Sequence, residues 1–204
     1  MKGQSLASCL IEGRSEAGID EAGRGCLAGP VTAAAVIPGP SGQAWLDAGL
    51  DDSKRLGQAA RAALRQRIES EALAWSVGWA SVEEIEKVNI LQATYLAMHR
   101  AIDGLSLRPD HLLIDGNRFK PHSISHTCEI KGDGRFLSIA AASILAKTHR
   151  DDLMNQLALE HPDYGWETNM GYPTKAHKMA IQAVGHCSHH RKTFRGVQGS
   201  LFSD

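Results

Sequence analysis

Asp20 and Glu21 stand side by side at the end of an apolar stretch, just ahead of Gly23-Arg24-Gly25. Adjacent side chains on a regular strand point to opposite faces. Both carboxylates can therefore serve one site only where the strand ends or bulges, or where a backbone carbonyl contributes. The glycines ease such a departure and let backbone approach a ligand closely. Glycine-rich turns cradle phosphates in many folds, yet the run here is GRGCLAG, with neither GxGxxG spacing nor a following GK[ST]. On its own it fits a solvated hairpin turn as well as a site. Asp115 ends the run His-Leu-Leu-Ile and precedes Gly116-Asn117; the C-terminal end of a strand is where open α/β sheets place function, but a lone Asp there also starts a turn. Asp133, in Lys131-Gly132-Asp133-Gly134, reads alone as a loop acid or a charge ahead of a helix.

Together the acids carry more weight. Three or four carboxylates at one sheet edge suit a hard divalent ion such as Mg²⁺ or Mn²⁺. Without a cation or a proton they would repel one another and raise each other's pKa. Metal ions held in this way activate water and stabilise the leaving oxygen in phosphoryl transfer. Other candidates are weaker. Ser53-Lys54-Arg55 could hold phosphate or be solvated, and Tyr172 in Gly171-Tyr172-Pro173-Thr174 could stack on a sugar or base or simply pack. Cys187, His186, His189 and His190 include zinc-ligand types, but their spacing matches no standard structural site. Residues 149–152 read as a charged helix face on the surface, and residues 186–195, rich in His, Lys and Arg without an acid, as a local basic surface.

The elements that must position these acids follow from pattern. Residues 17–37 read as two strands joined by the glycine-rich turn, the second (31–37) small and apolar as in a strand covered on both faces. Residues 38–42 are a loop, 58–74 a helix and 75–80 a short strand. Residues 90–105 form a helix with Leu91, Tyr95, Met98, Ile102 and Leu105 as its apolar stripe, capped near Asn89. Strands at 111–114 and 123–130, a long helix at 136–161, a loop at 162–173 and a helix at 174–184 complete the order. Strands alternating with helices imply an α/β layered domain. A loose tail is expected after Phe194.

The chain has 204 residues, 43% of them hydrophobic, and a formal net charge of −1. It can bury its own core as one domain, and it lacks the overall basicity of a protein that coats nucleic acid. No apolar run reaches membrane-span length, and no leader is expected at the N-terminus. Four scattered cysteines without a CxxC pair suggest free thiols in a reducing compartment, and so a cytoplasmic enzyme.

The run from Gly18 to Pro30, GIDEAGRGCLAGP, resembles the N-terminal signature of ribonuclease HII, the type 2 ribonuclease H. LDDSK (50–54), NIL (89–91), LIDGN (113–117), KGD (131–133), AAASILAK (140–147) with Arg150-Asp151, GYPT (171–174) and HRKTF (190–194) follow in the family's order. The resemblance covers about residues 17–195. It implies a ribonuclease H-like mixed sheet flanked by helices, with a helical C-terminal region: a single catalytic domain over 1–204 with a loose tail at 196–204. It implies a monomeric endonuclease, dependent on Mg²⁺ or Mn²⁺. That enzyme hydrolyses the RNA strand of RNA/DNA hybrids and incises at ribonucleotides embedded in duplex DNA, leaving 3′-hydroxyl and 5′-phosphate. Asp20, Glu21, Asp115 and Asp133 fall on the family's catalytic and metal-binding acids. Gly23, Arg24 and Gly25 fall on the element that reads the 2′-hydroxyl, the group that distinguishes a ribonucleotide from DNA. Tyr172 falls on the residue that stacks on the next deoxyribose, and Lys54, Ser143 and Lys147 on phosphate contacts.

Three departures stand out. Cys26 replaces a usual Pro and is expected to make the turn less rigid. Met170 replaces a common Lys, weakening a phosphate contact, and Gly134 replaces a frequent Ser, loosening the loop that holds Asp133. None removes a ligand. The sister ribonuclease HIII is the near alternative; it typically carries an N-terminal domain for which residues before Gly18 leave no room, and its glycine motif lacks the equivalent of Arg24. A catalytically silent duplex-binding module would not need all four acids. A dinucleotide-binding domain would need a βαβ unit after the turn, where residues 31–37 read instead as a second strand. Leu201-Phe202 in the tail could contact a sliding clamp.

Overall fold

The computed structural model describes residues 6–51, 53 and 56–197. Its core is a five-stranded sheet: β1 (Glu16–Ala22), β2 (Val31–Ile37), β3 (Ala74–Ala80), β4 (His111–Asp115) and β5 (Ser125–Glu129). Their spatial order is β3-β2-β1-β4-β5. β1 to β3 form an antiparallel meander, while β4 and β5 continue parallel to β1. The helices are α1 (Gly42–Asp47), α2 (Gln58–Glu71), α3 (Val82–Asp103), α4 (Leu137–Glu160), α5 (Trp166–Asn169) and α6 (Lys175–Val184). Among the described residues no helix is long and apolar enough to cross a membrane.

β2 is buried throughout because the sheet is covered on both faces. Val31, Ala33, Ala35 and Ile37 pack beneath α3, whereas Ala34 and Val36 pack beneath α4 and α2. Small residues let the helices come close. At Gly18 an added Cβ would lie 2.1 Å from the Ser138 carbonyl carbon, so α4 rests directly on the β1 backbone.

The helix expected at 90–105 is the second half of a longer element. α3 begins at a capping box, in which Ser81 Oγ accepts from the Glu84 amide and Glu84 accepts from the Ser81 amide. It breaks at Asn89 (φ 67°), whose side chain accepts from the Leu91 and Gln92 amides and so caps the second half, as expected. Leu91 is 40% exposed and does not join the core. As the first residue but one after the break, it sits before the packed face begins at Ala93. Two further elements, the short turn Pro162–Tyr164 and α5, fall in the loop expected at 162–173, and α1 begins where the loop expected at 38–42 ends.

Val197 falls within the tail expected to be loose, yet it is packed. Val197 is fully buried, joining Leu27, Met154, Trp166 and Ile181 in a third hydrophobic cluster. Residues 198–204, including the clamp candidate Leu201-Phe202, lie outside the described residues.

Gly18→Ala is expected to lower stability by roughly 1–3 kcal/mol or more, because the methyl group would meet the Ser138–Ile139 peptide of α4. Urea denaturation checks this. A second expectation concerns pH. Arg100 pairs with both Glu84 oxygens across the α3 break, and this holds the Glu84 carboxyl at about 2. A depressed carboxylate contributes stability above its ordinary pKa of about 4.5 and loses it as pH falls towards 2. The acid-denaturation curve of Glu84→Gln should therefore be shallower than wild type between pH 4.5 and 2.

Candidate active site

The parallel register carries two of the acids together. Ile19 is paired with Ile114, and pairing stops there, so the next residues, Asp20 and Asp115, lie side by side at the C-terminal ends of neighbouring strands. On its other edge β1 continues in register with β2 through Ala22. The departure expected at Asp20-Glu21 is therefore one-sided: no bulge occurs, but β4 ends and leaves the β1 edge open. Asp20, Glu21 and Asp115 all line one cleft of about 420 Å³.

Gly23, Arg24, Gly25, Ser143, Lys147 and Tyr172 line the same cleft. Lys54 lies outside the described residues. Asp133 is buried in the turn Gly132–Gly134 and is not among the lining residues. Its Oδ1 accepts from the Gly134 amide at 3.0 Å, so Gly134 holds the Asp133 carboxylate through its backbone. The preceding amide, Gly132, donates to Asp115 Oδ1 at 2.7 Å, which ties the turn to the cleft. Ser53 and Arg61 also line the cleft. Sequence reasoning had placed Ser53 only in a basic patch and passed over Arg61, whose guanidinium bonds the Ser53 and Leu56 carbonyls and holds the loop before α2.

The electrostatics are those of crowded carboxylates. Burial raises the Asp20 pKa well above the ordinary carboxylate value, and the charges of Glu21 and Asp115 add to the rise; hydrogen bonds from Ser143 and the Glu21 amide oppose it. Ser143 also shares a 2.9 Å hydrogen bond with Ser53, so it supports Asp20 as well as facing the cleft. Arg24 reaches Glu21 at 3.1 Å, and Lys147 is held by Asp151 at 2.6 Å. The Lys147 ammonium sits 5.7 Å from the centre of the Tyr172 ring. An all-oxygen donor set with excess negative charge fits a hard divalent ion.

Two buried arginines hold the loop that follows β1. Arg150, on α4, donates to the carbonyls of Ala28, Pro30 and Met170. Arg191 donates to those of Arg24, Gly29 and Pro30. Both side chains are buried, so Arg150 departs from the charged helix face expected at 149–152, and His190 and Arg191 from the basic surface expected at 186–195, while Asp152, Lys192 and Arg195 are exposed as expected. Ser143, Lys147 and Arg150, spaced four and three apart, share one helix face, a signal that could have revealed Arg150. Arg191 had no such signal, since its partners lie more than 160 residues away. Gly23 is required twice over: its φ is +90°, and a Cβ would lie 2.1 Å from Arg150 Nε.

A buried histidine pair fixes Tyr172. His177 Nδ1 donates to the Tyr172 carbonyl, while its Nε2 accepts from Trp166 Nε1 and faces His190 Nε2 at 3.2 Å. His190 Nδ1 accepts from the Cys187 amide. Burial pushes the His190 pKa down to about 3, keeping the pair neutral. Cys26, expected to relax the turn, closes it: its amide donates to the Gly23 carbonyl, a bond proline cannot make. Burial of the Cys26 thiol pushes its pKa up.

Arg150→Lys is expected to cost about 1–3 kcal/mol, because the three donors of an ammonium sit on one nitrogen and cannot span the three carbonyls that Nε, Nη1 and Nη2 reach separately. A denaturation midpoint equal to wild type would contradict this.

Comparison with known proteins agrees with this arrangement. The sequence model of the family "Ribonuclease HII" matches residues 17–197. Ribonuclease HII of Parabacteroides distasonis is 61% identical over 190 residues, 93% of this chain and 94% of the relative. Ribonuclease HII of Bacteroides fragilis is 61% identical over 190 residues, 93% of each. Among solved structures, ribonuclease H2 of Pyrococcus horikoshii superposes with a TM-score of 0.76 at 22% identity, over 91% of this chain and 96% of that one. RNase HII of Archaeoglobus fulgidus, solved in complex with PCNA, gives 0.75 at 26% identity, over 89% and 95%. Bst-RNase HIII, solved with Mn²⁺, shares the fold with a TM-score of 0.71 at 19% identity, over 92% of this chain and 69% of that one. The sheet order, the cleft acids and these likenesses lead to one conclusion: the chain belongs to the ribonuclease HII family of endoribonucleases.

Proposed function

We propose that this chain hydrolyses the RNA strand of RNA/DNA hybrids and incises duplex DNA at embedded ribonucleotides, leaving 3′-hydroxyl and 5′-phosphate ends. The observation that carries the reading is the register that sets Asp20 beside Asp115 in a cleft bordered by Gly23-Arg24-Gly25. Asp20, Glu21, Asp115 and Asp133 are the proposed ligands of Mg²⁺ or Mn²⁺. When bound, the ion supplies the charge neutralisation and Lewis acidity that phosphodiester hydrolysis requires. The protein's part is positioning. Among the described residues the Arg24 and Gly25 amides have no hydrogen-bond partner, and their loop is held rigid from behind by Arg150 and Arg191. Such donors suit a ribose 2′-hydroxyl. Arg24 also screens Glu21. Lys147 and Ser143, with Lys54, are assigned to the phosphates. The Tyr172 ring, 39% exposed beneath Lys147, offers a face for the neighbouring deoxyribose.

The reading places the enzyme as a monomer in a reducing cytoplasm, in keeping with four free cysteines. A clamp contact through the tail rests on the PCNA complex of the Archaeoglobus protein alone.

The test is incision of a duplex carrying one ribonucleotide, with and without EDTA. Mg²⁺- or Mn²⁺-dependent nicking on the 5′ side of that ribonucleotide is expected, with Asp20→Asn binding the duplex but failing to cut. Turnover by Asp20→Asn at wild-type rates would remove its role as a ligand. Tyr172→Ala should weaken use of the single-ribonucleotide substrate roughly tenfold or more, the scale of one lost stacking contact. An equal loss on a continuous RNA/DNA hybrid would argue against junction reading by this ring.

A further inference from the structure

On the far side of the loop clamp, α4 ends at Glu160 and His161, and His189 approaches from the C-terminal segment. One carboxylate oxygen and two imidazole nitrogens converge there, all within 4.8 Å of one another. We propose that Glu160, His161 and His189 form a second metal site, separate from the cleft, that takes a borderline transition ion such as Zn²⁺.

The donor set decides the class of ion. Two imidazoles and one carboxylate suit zinc or cobalt and disfavour Mg²⁺, which prefers oxygen. Ligand atoms on a tetrahedral zinc stand roughly 3.4 Å apart, from bonds of about 2.1 Å. Rotation of the exposed Glu160 side chain supplies the remaining closure. Both imidazoles are pre-positioned. The His161 amide caps α4 on the Leu157 carbonyl, and the His189 carbonyl accepts from the Gly29 amide at 2.9 Å. The rings stand 5.3 Å apart, and each packs edge-on against Trp166. Among the described residues neither ring nitrogen set nor the Glu160 carboxylate has a hydrogen-bond or ion-pair partner that would compete for the ion. The charge of Glu83, at the start of α3, also acts on His189.

The position gives the ion something to do. His189 is two residues from Arg191, which holds the carbonyls of Arg24, Gly29 and Pro30. Coordination would fasten the end of α4 to the segment that carries this clamp. Of the histidines and cysteine of the C-terminal segment, His189 thus finds partners that its spacing did not disclose, in Glu160 and His161, whereas His190 faces His177 and the Cys187 thiol faces His190.

The test titrates CoCl₂, then ZnCl₂, into the full chain under excess Mg²⁺, which occupies the cleft acids. One equivalent of Co²⁺ should bind at micromolar concentration, with a nitrogen–oxygen ligand-field spectrum and no thiolate charge-transfer band, and Zn²⁺ should displace it. His161→Ala and His189→Ala should each weaken binding by about tenfold to a hundredfold. Glu160→Gln, a conservative change at an exposed position, should also weaken it and decides the matter if a histidine variant fails to fold. Asp20→Asn and His186→Ala should bind like wild type. Absence of saturable binding, undiminished affinity in Glu160→Gln and His161→Ala, or a thiolate band that moves the site to Cys187 would each overturn the proposal.

Discussion

Six hydrogen bonds from two buried guanidinium groups hold the functional end of this molecule together. Arg150 and Arg191 converge on the carbonyls of residues 24–30 and of Met170. A loop rich in glycine has high conformational entropy when free, and its carbonyls would be costly to bury unpaired. The arginines meet both demands at once. Their own burial is costly, and burial with the nearby Arg150 charge lowers the Arg191 pKa to about 9. Removing either side chain would strand several carbonyls, so loop and clamp stand or fall together.

The clamp also explains how three separate parts of the chain act as one surface. α4 is anchored on the sheet by its close contact with β1 at Gly18. It carries Ser143 and Lys147 towards the cleft and Arg150 into the loop. The C-terminal segment contributes Arg191 and, through His177 and His190, the backbone position of Tyr172. The acids, the glycine loop and the aromatic ring are thus held from one scaffold. Their relative positions are set by packing in the third hydrophobic cluster and not by local sequence.

Against this rigid frame the carboxylates are held in a disfavoured arrangement. Asp20 is buried beside Glu21 and Asp115, and repulsion with desolvation drives its pKa upward. Among the described residues, hydrogen bonds from Ser143 and the Glu21 amide oppose that drive. Such a cluster stores affinity for a divalent cation, because binding relieves the repulsion. In the proposed reading, chemistry and recognition share one strand end: Asp20 and Glu21 lie on β1, Asp115 ends β4, and the glycine loop begins one residue past β1.

Most of the frame was legible in the sequence. Short runs bounded by turn signals located the five described strands, and composition or, at 90–105, an apolar stripe at steps of three and four located four of the helices. Asp20, Glu21 and Asp115 were legible as strand-end acids, and their chemistry followed from their type. What local pattern could not carry was long-range. α5 and the first half of α3 were missed because short or interrupted helices leave little periodicity. Arg150, Arg191 and His190 were read as surface charge, since nothing near them in the chain shows that their partners are backbone carbonyls and a histidine brought in from elsewhere. The sequence by itself therefore determined which residues can do the chemistry. The tertiary structure alone decided which of them meet, because the parallel β1–β4 register and the packing of α4 are set by contacts between segments about a hundred residues apart.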